Sequence, residues 1–423
     1  MLERKKIGKD KIDKIEKKRK EKSDVKMDVQ KLVEERIYQS ISTPELERRW
    51  REVRKVMASK GIDCLVMQNT NKFLGGYVRW FTDVPADNGY PLTVIFPLKE
   101  EMTVVTSGGP PMQSYPPKWA LRGVSEVIAV PYFLPFNYTK TLDAEVVAKK
   151  LEELGAKVVG LVGENYIPAS FYNYIKAALP SVELIEAADY VDDIKAIKSE
   201  EEIVLIKRSA ALQDAGMAAI PSILKAGMRE FELRSALEHF LIDIGSEEQW
   251  IMIGSAPSGE YANQRQPFFQ NKRIQQGEQV CVMIEVSGPG GYYTEVGRTF
   301  CLGEPSPEMQ RIWIENVEAQ KVTADLLVPG ARPADIFNAN NEFLKSRGYA
   351  LEGRLYAHGQ GYDLVERPAI RVDEPMLIQA NMLIAVHPRI VTETAYTYCC
   401  DNYLTTENGA LRIHKTPLEL FVI

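Results

Sequence analysis

The sequence predicts an α/β domain followed by an α+β domain, and three observations carry that prediction. The 423 residues exceed what one ordinary core fills. Between Pro44 and about residue 187, amphipathic helical segments alternate with short apolar runs, the signature of a sheet covered by helices. Beyond Ser199, long helices are followed by paired strand-like segments that carry ionisable groups at their edges.

Composition sets the outer bounds. A hydrophobic share of 45% with 26% charged residues is that of a globular protein. A net charge of −6 gives no reason to expect a nucleic-acid partner. No apolar run approaches the ~20 residues that span a bilayer, so no membrane partner is expected. Five cysteines without framework spacing, and an N-terminus too charged for a signal peptide, predict a cytoplasmic protein. The first 22 residues hold 11 Lys/Arg against 5 Asp/Glu, or +6, which leaves −12 for the rest. Ile7, Ile12 and Ile15 give them only a thin apolar stripe, so this segment reads as a solvated helix or tail.

The elements follow in order. Residues 45–61 have helical periodicity and stop at Gly61, a residue suited to the left-handed position after a helix. Residues 62–68 read as a buried strand, and 90–98 with 102–108 as neighbouring strands. A helix over 142–154 precedes an apolar strand over 157–164. Ser199 and Glu202 have capping-box spacing and open a long helix. A second helix covers 229–244 and stops at Gly245. Strands follow near 249–254, 279–286 and 292–301, then helices near 307–328 and 333–347.

The segment 277–303, GEQVCVMIEVSGPGGYYTEVGRTFCLG, is a hairpin whose turn is Ser287 to Gly291, because clustered glycine and proline supply the unusual backbone angles. A turn centred near residue 290 places Glu285 opposite Glu295, with Cβ atoms about 5 Å apart. Facing carboxylates repel unless a metal, a cation or a shared proton relieves them. Glu285 also interrupts an apolar run, where a solvent-facing glutamate is out of place. His358 in HGQG, His387 in LIAVHP, and Cys400 with Asp401 in CCDN complete the constellation. Histidine, carboxylate and cysteine are all zinc ligands, and histidine is the common acid–base group near neutral pH. His239 and His414 read as structural.

GGYYTEVGRTF (290–300), AHGQGYDLVERP (357–368), LIAVHP (383–388) and CCDNYLTTENG (399–409), in this order, resemble the creatinase, prolidase and methionine aminopeptidase family, peptidase family M24 with its pita-bread fold. The resemblance spans roughly residues 44–423, and IKAIKSEEEIVLIKRSA resembles the family's interdomain junction. It implies a charged extension over 1–43, a creatinase-N-like α/β domain over 44–193 and an α+β pita-bread catalytic domain over 194–423. Dinuclear members use two aspartates on the hairpin, a histidine in an HG motif and two later glutamates. Glu295 stands at the second aspartate. Glu285 is the nearest candidate for the first but lies one position off, with Met283 or Ile284 as alternatives. His358 matches the HG histidine. The second histidine, seven positions on, is Val365, while the acid after it survives as Glu366. His387 replaces the glutamate of the E-P motif, Cys400 aligns with the last glutamate, and Asp401 matches the residue after it.

Two adjacent metal ions need bridging carboxylates to offset their charge. Replacing both late glutamates by His387 and Cys400 removes that charge, so the expected cofactor is either none or a single divalent metal, with zinc the best match to mixed N, S and O ligands. Creatinase shares GYYT and RT and works without metal. Its catalytic histidine would fall near 265–267, where the chain reads RQP, so creatinase activity itself is not expected. The resemblance implies a homodimeric hydrolase acting on a small-molecule or dipeptide-like substrate with an amide or other C–N bond. His358, Glu295 and Glu366 would be catalytic, with Glu366 orienting His358 or taking a proton. Glu285, Glu295, His358, His387, Cys400 and Asp401 would bind metal or substrate. Arg298 or Arg389 would pair with a substrate carboxylate or form plain salt bridges. An Xaa-Pro dipeptidase or aminopeptidase with an atypical metal site, a C–S or C–N lyase related to those acting on dimethylsulfoniopropionate, and a catalytically retired binding protein remain open.

Overall fold

Ser42 opens the first helix, Thr43–Lys60: its hydroxyl accepts from the Glu45 amide at 3.3 Å, and Gly61 at φ +69° ends the helix as expected. The computed structural model describes residues 40–108, 120–257 and 260–423; the Lys-rich segment 1–22 lies outside them. β1 (Cys64–Asn69), β2 (Leu92–Pro97), β3 (Met102–Ser107), β4 (Val124–Val130), β5 (Val158–Leu161) and β6 (Glu183–Glu186) form one mixed sheet in the order β4-β3-β2-β1-β5-β6. β1 and β2 are buried along their whole length, because apolar groups cover both faces of the sheet. Helices Tyr77–Thr82, Leu142–Glu153, Ala169–Ala178 and Ala188–Lys195 accompany it. The first, third and fourth of these are too short or too mixed in pattern to have stood out in the sequence.

The Ser199–Glu202 capping box is present, and the helix it opens runs from Glu200 to Ile223. Helix Glu230–Asp243 follows. Then β7 (Glu248–Pro257), β8 (Glu278–Ser287) and β9 (Tyr293–Cys301) pair in succession. Helices Pro307–Asp325 and Pro333–Ser346 lead to β10 (Ala357–Gly359), β11 (Glu366–Ala369), β12 (Leu383–Val386), β13 (Arg389–Val391), β14 (Tyr396–Tyr398), β15 (Asp401–Thr406), β16 (Gly409–Arg412) and β17 (Phe421–Val422). They make a β17-β9-β8-β7 sheet, a β11-β10-β12-β15-β16 sheet and a β13-β14 ribbon. This is an N-terminal α/β domain followed by an α+β domain of the pita-bread type, as expected.

One close approach joins the two larger sheets of the C-terminal half. Gly297 on β9 bridges Cys400, just before β15, with backbone bonds of 3.0 and 3.2 Å. A Cβ at Gly297 would lie 2.7 Å from the Tyr398 ring and 3.0 Å from the Cys400 Cβ, so only glycine permits the contact. The two halves of the chain meet through charge. Arg49, fully buried, reaches Glu45 at 2.9 Å, Glu202 at 3.0 Å and the Tyr292 hydroxyl at 2.8 Å. The hairpin therefore rests on both the first helix and the long helix behind it.

Candidate functional site

The hairpin turn uses Gly290 and Gly291, at φ +85° and +83°, angles that side chains with a Cβ rarely adopt. It sets the register that pairs Glu285 with Glu295, Ile284 with Val296 and Met283 with Gly297. Glu285 therefore shares a face with Glu295, while Ile284 packs in the apolar layer with Val296. Both carboxylates are buried.

The amide of Gln360, just past β10, joins them. Its Nε2 donates to Glu285 Oε1 at 3.0 Å and reaches Glu295 Oε2 at 3.4 Å. Asn402 on β15 holds that amide in turn, donating to Gln360 Oε1 at 2.8 Å while its own Oδ1 accepts from the Glu295 amide at 2.6 Å. Burial and the neighbouring Glu295 push the Glu285 carboxyl well above its usual range, so of the two it is the one that favours the proton. Burial also opposes charge on Glu295, but His387, His358, the Cys400 thiol and the Glu285 carboxyl outweigh it and hold its pKa below the usual value. The opposite shifts place a shared proton on Glu285 and the negative charge on Glu295.

Three further side chains converge on Glu295. Cys400 Sγ donates to Oε1 at 2.9 Å, and burial next to that carboxylate keeps the thiol protonated. His387, which follows β12, places Nε2 3.8 Å from the same oxygen. Burial pushes the His387 pKa down to about 3, so the ring is neutral at pH 7, and its Nδ1 has no hydrogen-bond partner. His358 on β10 lies edge-on to it, ring centroids 5.1 Å apart. Its Nδ1 sits 2.9 Å from the Gly359 carbonyl; a carbonyl only accepts, so Nδ1 donates and Nε2 is the ring atom left for a ligand. Tyr398 stacks on His387, and with Cys281 and Met283 it walls the apolar side.

The sequence-predicted residues divide into two groups. Glu285, Glu295, His358, His387 and Cys400 come together. Glu366 does not reach His358. It lies opposite Gly359 on the neighbouring strand, and its carboxylate bonds Lys195 at 2.5 Å and Lys198 at 2.9 Å. Burial opposes that charge, yet the two lysines hold its pKa down to about 2. Asp401 also points away, because neighbours along a strand alternate faces. It bonds Arg298 at 2.8 Å and Arg412 at 3.0 Å. Arg298 is fully buried and spends its other donors on backbone carbonyls, including Pro417 and Cys400, so no donor is left for a substrate. Arg265, near the position of creatinase's histidine, is tied to Glu230 at 2.6 Å. Gln360 and Asn402 were missed because amides have no ionisable signature; the glycines flanking Gln360 were the only available hint.

Two candidate metal arrangements can be weighed against this geometry. Glu295, His358 and His387 each offer a ligand atom, all within 4.8 Å of one another, which suits one ion. A pair of ions does not fit. The space between the two carboxylates is bridged by a neutral amide, and the remaining donors are an uncharged imidazole and a thiol rather than bridging carboxylates.

The pattern describing metallopeptidase family M24 matches residues 204–417, half of the chain. Over 236 residues the chain is 29% identical to the Xaa-Pro dipeptidase of Pyrococcus furiosus, covering 55% of this chain and 67% of that one. Over 408 residues it is 24% identical to a creatinase from a Bacillus species, covering 90% and 93% of the two chains. Among solved structures, an Xaa-Pro dipeptidase from Bacillus anthracis superposes with a TM-score of 0.73 at 22% identity, covering 89% of this chain and all of that one, a likeness of fold. The chain belongs to metallopeptidase family M24, a family of hydrolases.

Proposed function

We propose that this protein hydrolyses a small polar substrate of about dipeptide size at an amide or other C–N bond, with at most one divalent ion. The observation that carries the reading is the meeting of Glu295, His358 and His387 within 4.8 Å beside a second carboxylate, Glu285, that retains its proton. Two of the relatives are named for small substrates, a dipeptide and creatine, which supports the size class.

Glu285 is the proton donor to the departing nitrogen, and Glu295 is the fixed negative charge that balances positive charge as it develops. The free Nε2 of His358 accepts a proton from the attacking water in the ion-free enzyme. Gln360 and Asn402 hold both carboxylates in place, and the Tyr398, Met283 and Cys281 wall limits water. If an ion is present, Glu295, His358 and His387 would hold it, and it would polarise the carbonyl and acidify a water molecule. That single-ion variant is the second reading, an Xaa-Pro dipeptidase with an altered centre. We also take the chain to act as a homodimer in the cytoplasm, by analogy with the family; sedimentation velocity tests the first point and cell fractionation the second.

The deciding experiment pairs elemental analysis of the purified protein with assays on a panel of dipeptides, acyl amino acids and ureido compounds, for wild type and His358→Ala. One zinc per chain, lost in the variant, identifies the single-ion form; turnover with no metal identifies the metal-free form. Two ions per chain, or no turnover of any C–N substrate with or without added metal, would overturn the proposal. An unsaturated product formed without incorporation of water would favour the lyase.

A further inference from the structure

We infer that His414 is a positioning residue for the Glu285–Glu295 pair, acting through the side-chain amides of Asn402 and Gln360. The inference goes beyond the hydrolase reading and rests on it only in taking the two carboxylates as catalytic. His414 reads as structural from its sequence surroundings, and its ring nitrogens face Asn402 and Asp214 rather than the carboxylates.

His414 lies just past β16 and is buried. The segment around it is stitched down on two sides. The Ile413 amide donates to the Asn402 carbonyl at 3.0 Å. Asp214, on the long helix Glu200–Ile223, accepts from the Lys415 amide at 2.8 Å and from the Thr416 amide and hydroxyl at 2.9 and 2.6 Å. Its Oδ1 also lies 3.6 Å from His414 Nδ1. Burial opposes charge on Asp214, but His414 and the Thr416 and Lys415 donors hold its carboxyl well below the usual range. The ring is thereby aimed, with Nε2 3.2 Å from Asn402 Oδ1.

The donors then run in one direction, from His414 to the carboxylates. Asn402 Oδ1 already accepts from the Glu295 amide at 2.6 Å, so that end of the side chain is the oxygen. His414 Nε2 faces the same oxygen and therefore carries the hydrogen. With its oxygen held by two donors, Asn402 turns its nitrogen to Gln360 Oε1 at 2.8 Å. Gln360 Nε2 is then the end presented to Glu285 and Glu295, braced by the Leu364 carbonyl at 3.1 Å. Without the His414 hydrogen, one donor alone holds Asn402. A Gln360 amide free to rotate turns its carbonyl oxygen toward two buried carboxyl groups, and their alignment is lost. A side chain that only filled this space would need no hydrogen on Nε2.

The test is heteronuclear NMR of imidazole and side-chain amide nitrogens in wild type, His414→Phe and His414→Gln, with kcat and KM on the C–N substrates that wild type turns over. The His414 signals are assigned by their loss in the variants, and the Gln360 amide by its loss in Gln360→Met. Wild type should carry a hydrogen on His414 Nε2. The Gln360 amide hydrogens should exchange with solvent about tenfold faster or more in His414→Phe, because their protection depends on the relay. In His414→Gln, whose amide nitrogen replaces the imidazole Nε2 as donor, exchange should stay within about threefold of wild type. Turnover should follow the same order, with kcat about tenfold lower in His414→Phe and KM little changed. A bare Nε2 in wild type, unchanged Gln360 exchange in His414→Phe, or a His414→Gln variant as perturbed as His414→Phe would each overturn the inference. If His414→Phe does not fold, the wild-type imidazole spectrum still decides. The NMR arm needs no turnover: an intact relay in a protein that hydrolyses nothing would sink the hydrolase reading alone. An active protein whose Gln360 amide ignores His414 would sink only this one.

Discussion

Cys400 donates its thiol to Glu295 at 2.9 Å, so a neutral donor stands beside the buried carboxylate. Cys400→Ser should keep a donor and retain activity within a few-fold. Cys400→Ala leaves one oxygen of a buried carboxylate without that partner, a loss of about 1–3 kcal/mol. Steady-state kinetics of the two variants checks the difference; equal losses would mean that the thiol does not act through its hydrogen bond.

The proton on the carboxylate pair gives an asymmetric prediction. Glu285→Gln keeps a neutral donor of similar shape where the protonated carboxyl stood. It should fold with unchanged or higher stability. Glu295→Gln removes the negative charge that the imidazoles and thiol surround, and its turnover should fall by about 10²–10⁴. Thermal melts with kcat values test both; the reverse order of effects would place the proton on Glu295.

Gln360→Met removes the only donor among the described residues that bridges the two carboxylates. Fold stability should drop by about 1–3 kcal/mol, as expected when buried acceptors lose their partner. Chemical denaturation, compared with Gln360→Asn, would show whether reach or chemistry matters. An unaffected Gln360→Met would show that the amide is not needed to hold the pair.

Glu366 predicts the response to acid. Its pKa is depressed from about 4.5 unfolded to about 2 folded, so its stabilising contribution is fully present above about pH 4.5 and is lost as pH falls toward 2. A shift of that size corresponds to roughly 3 kcal/mol. Glu366→Gln should flatten the stability profile in that window while leaving two buried lysines undercompensated. Urea denaturation between pH 2.5 and 6 measures the slope, and a slope equal to wild type would rule out the ion pairs with Lys195 and Lys198 as its source.

Arg298 and Asp401 form a buried pair without access to substrate. Arg298→Met should cost about 1–3 kcal/mol, because Asp401 loses one charged partner but keeps Arg412 at 3.0 Å. The folded fraction should keep the KM of wild type, as a substrate-binding arginine would not.

Sequence alone determined what depends on local geometry. The helix stops at Gly61 and Gly245, the Ser199–Glu202 cap, and the facing of Glu285 and Glu295 all follow from spacing along one or two adjacent segments. It also brought His358, His387 and Cys400 into consideration, because their residue types stand out beside glycine and proline. Tertiary structure decided which way equally eligible side chains turn. Cys400 meets Glu295 across 105 positions of sequence while the adjacent Asp401 turns to Arg298, and Glu366 crosses 168 positions to Lys198 rather than going to His358. Strand alternation and the nearest buried counter-charge make those choices, and neither is set until the sheets pack. The same packing brought Gln360 and Asn402 onto the carboxylates, turning two glutamates that repel in isolation into a pair that shares one proton.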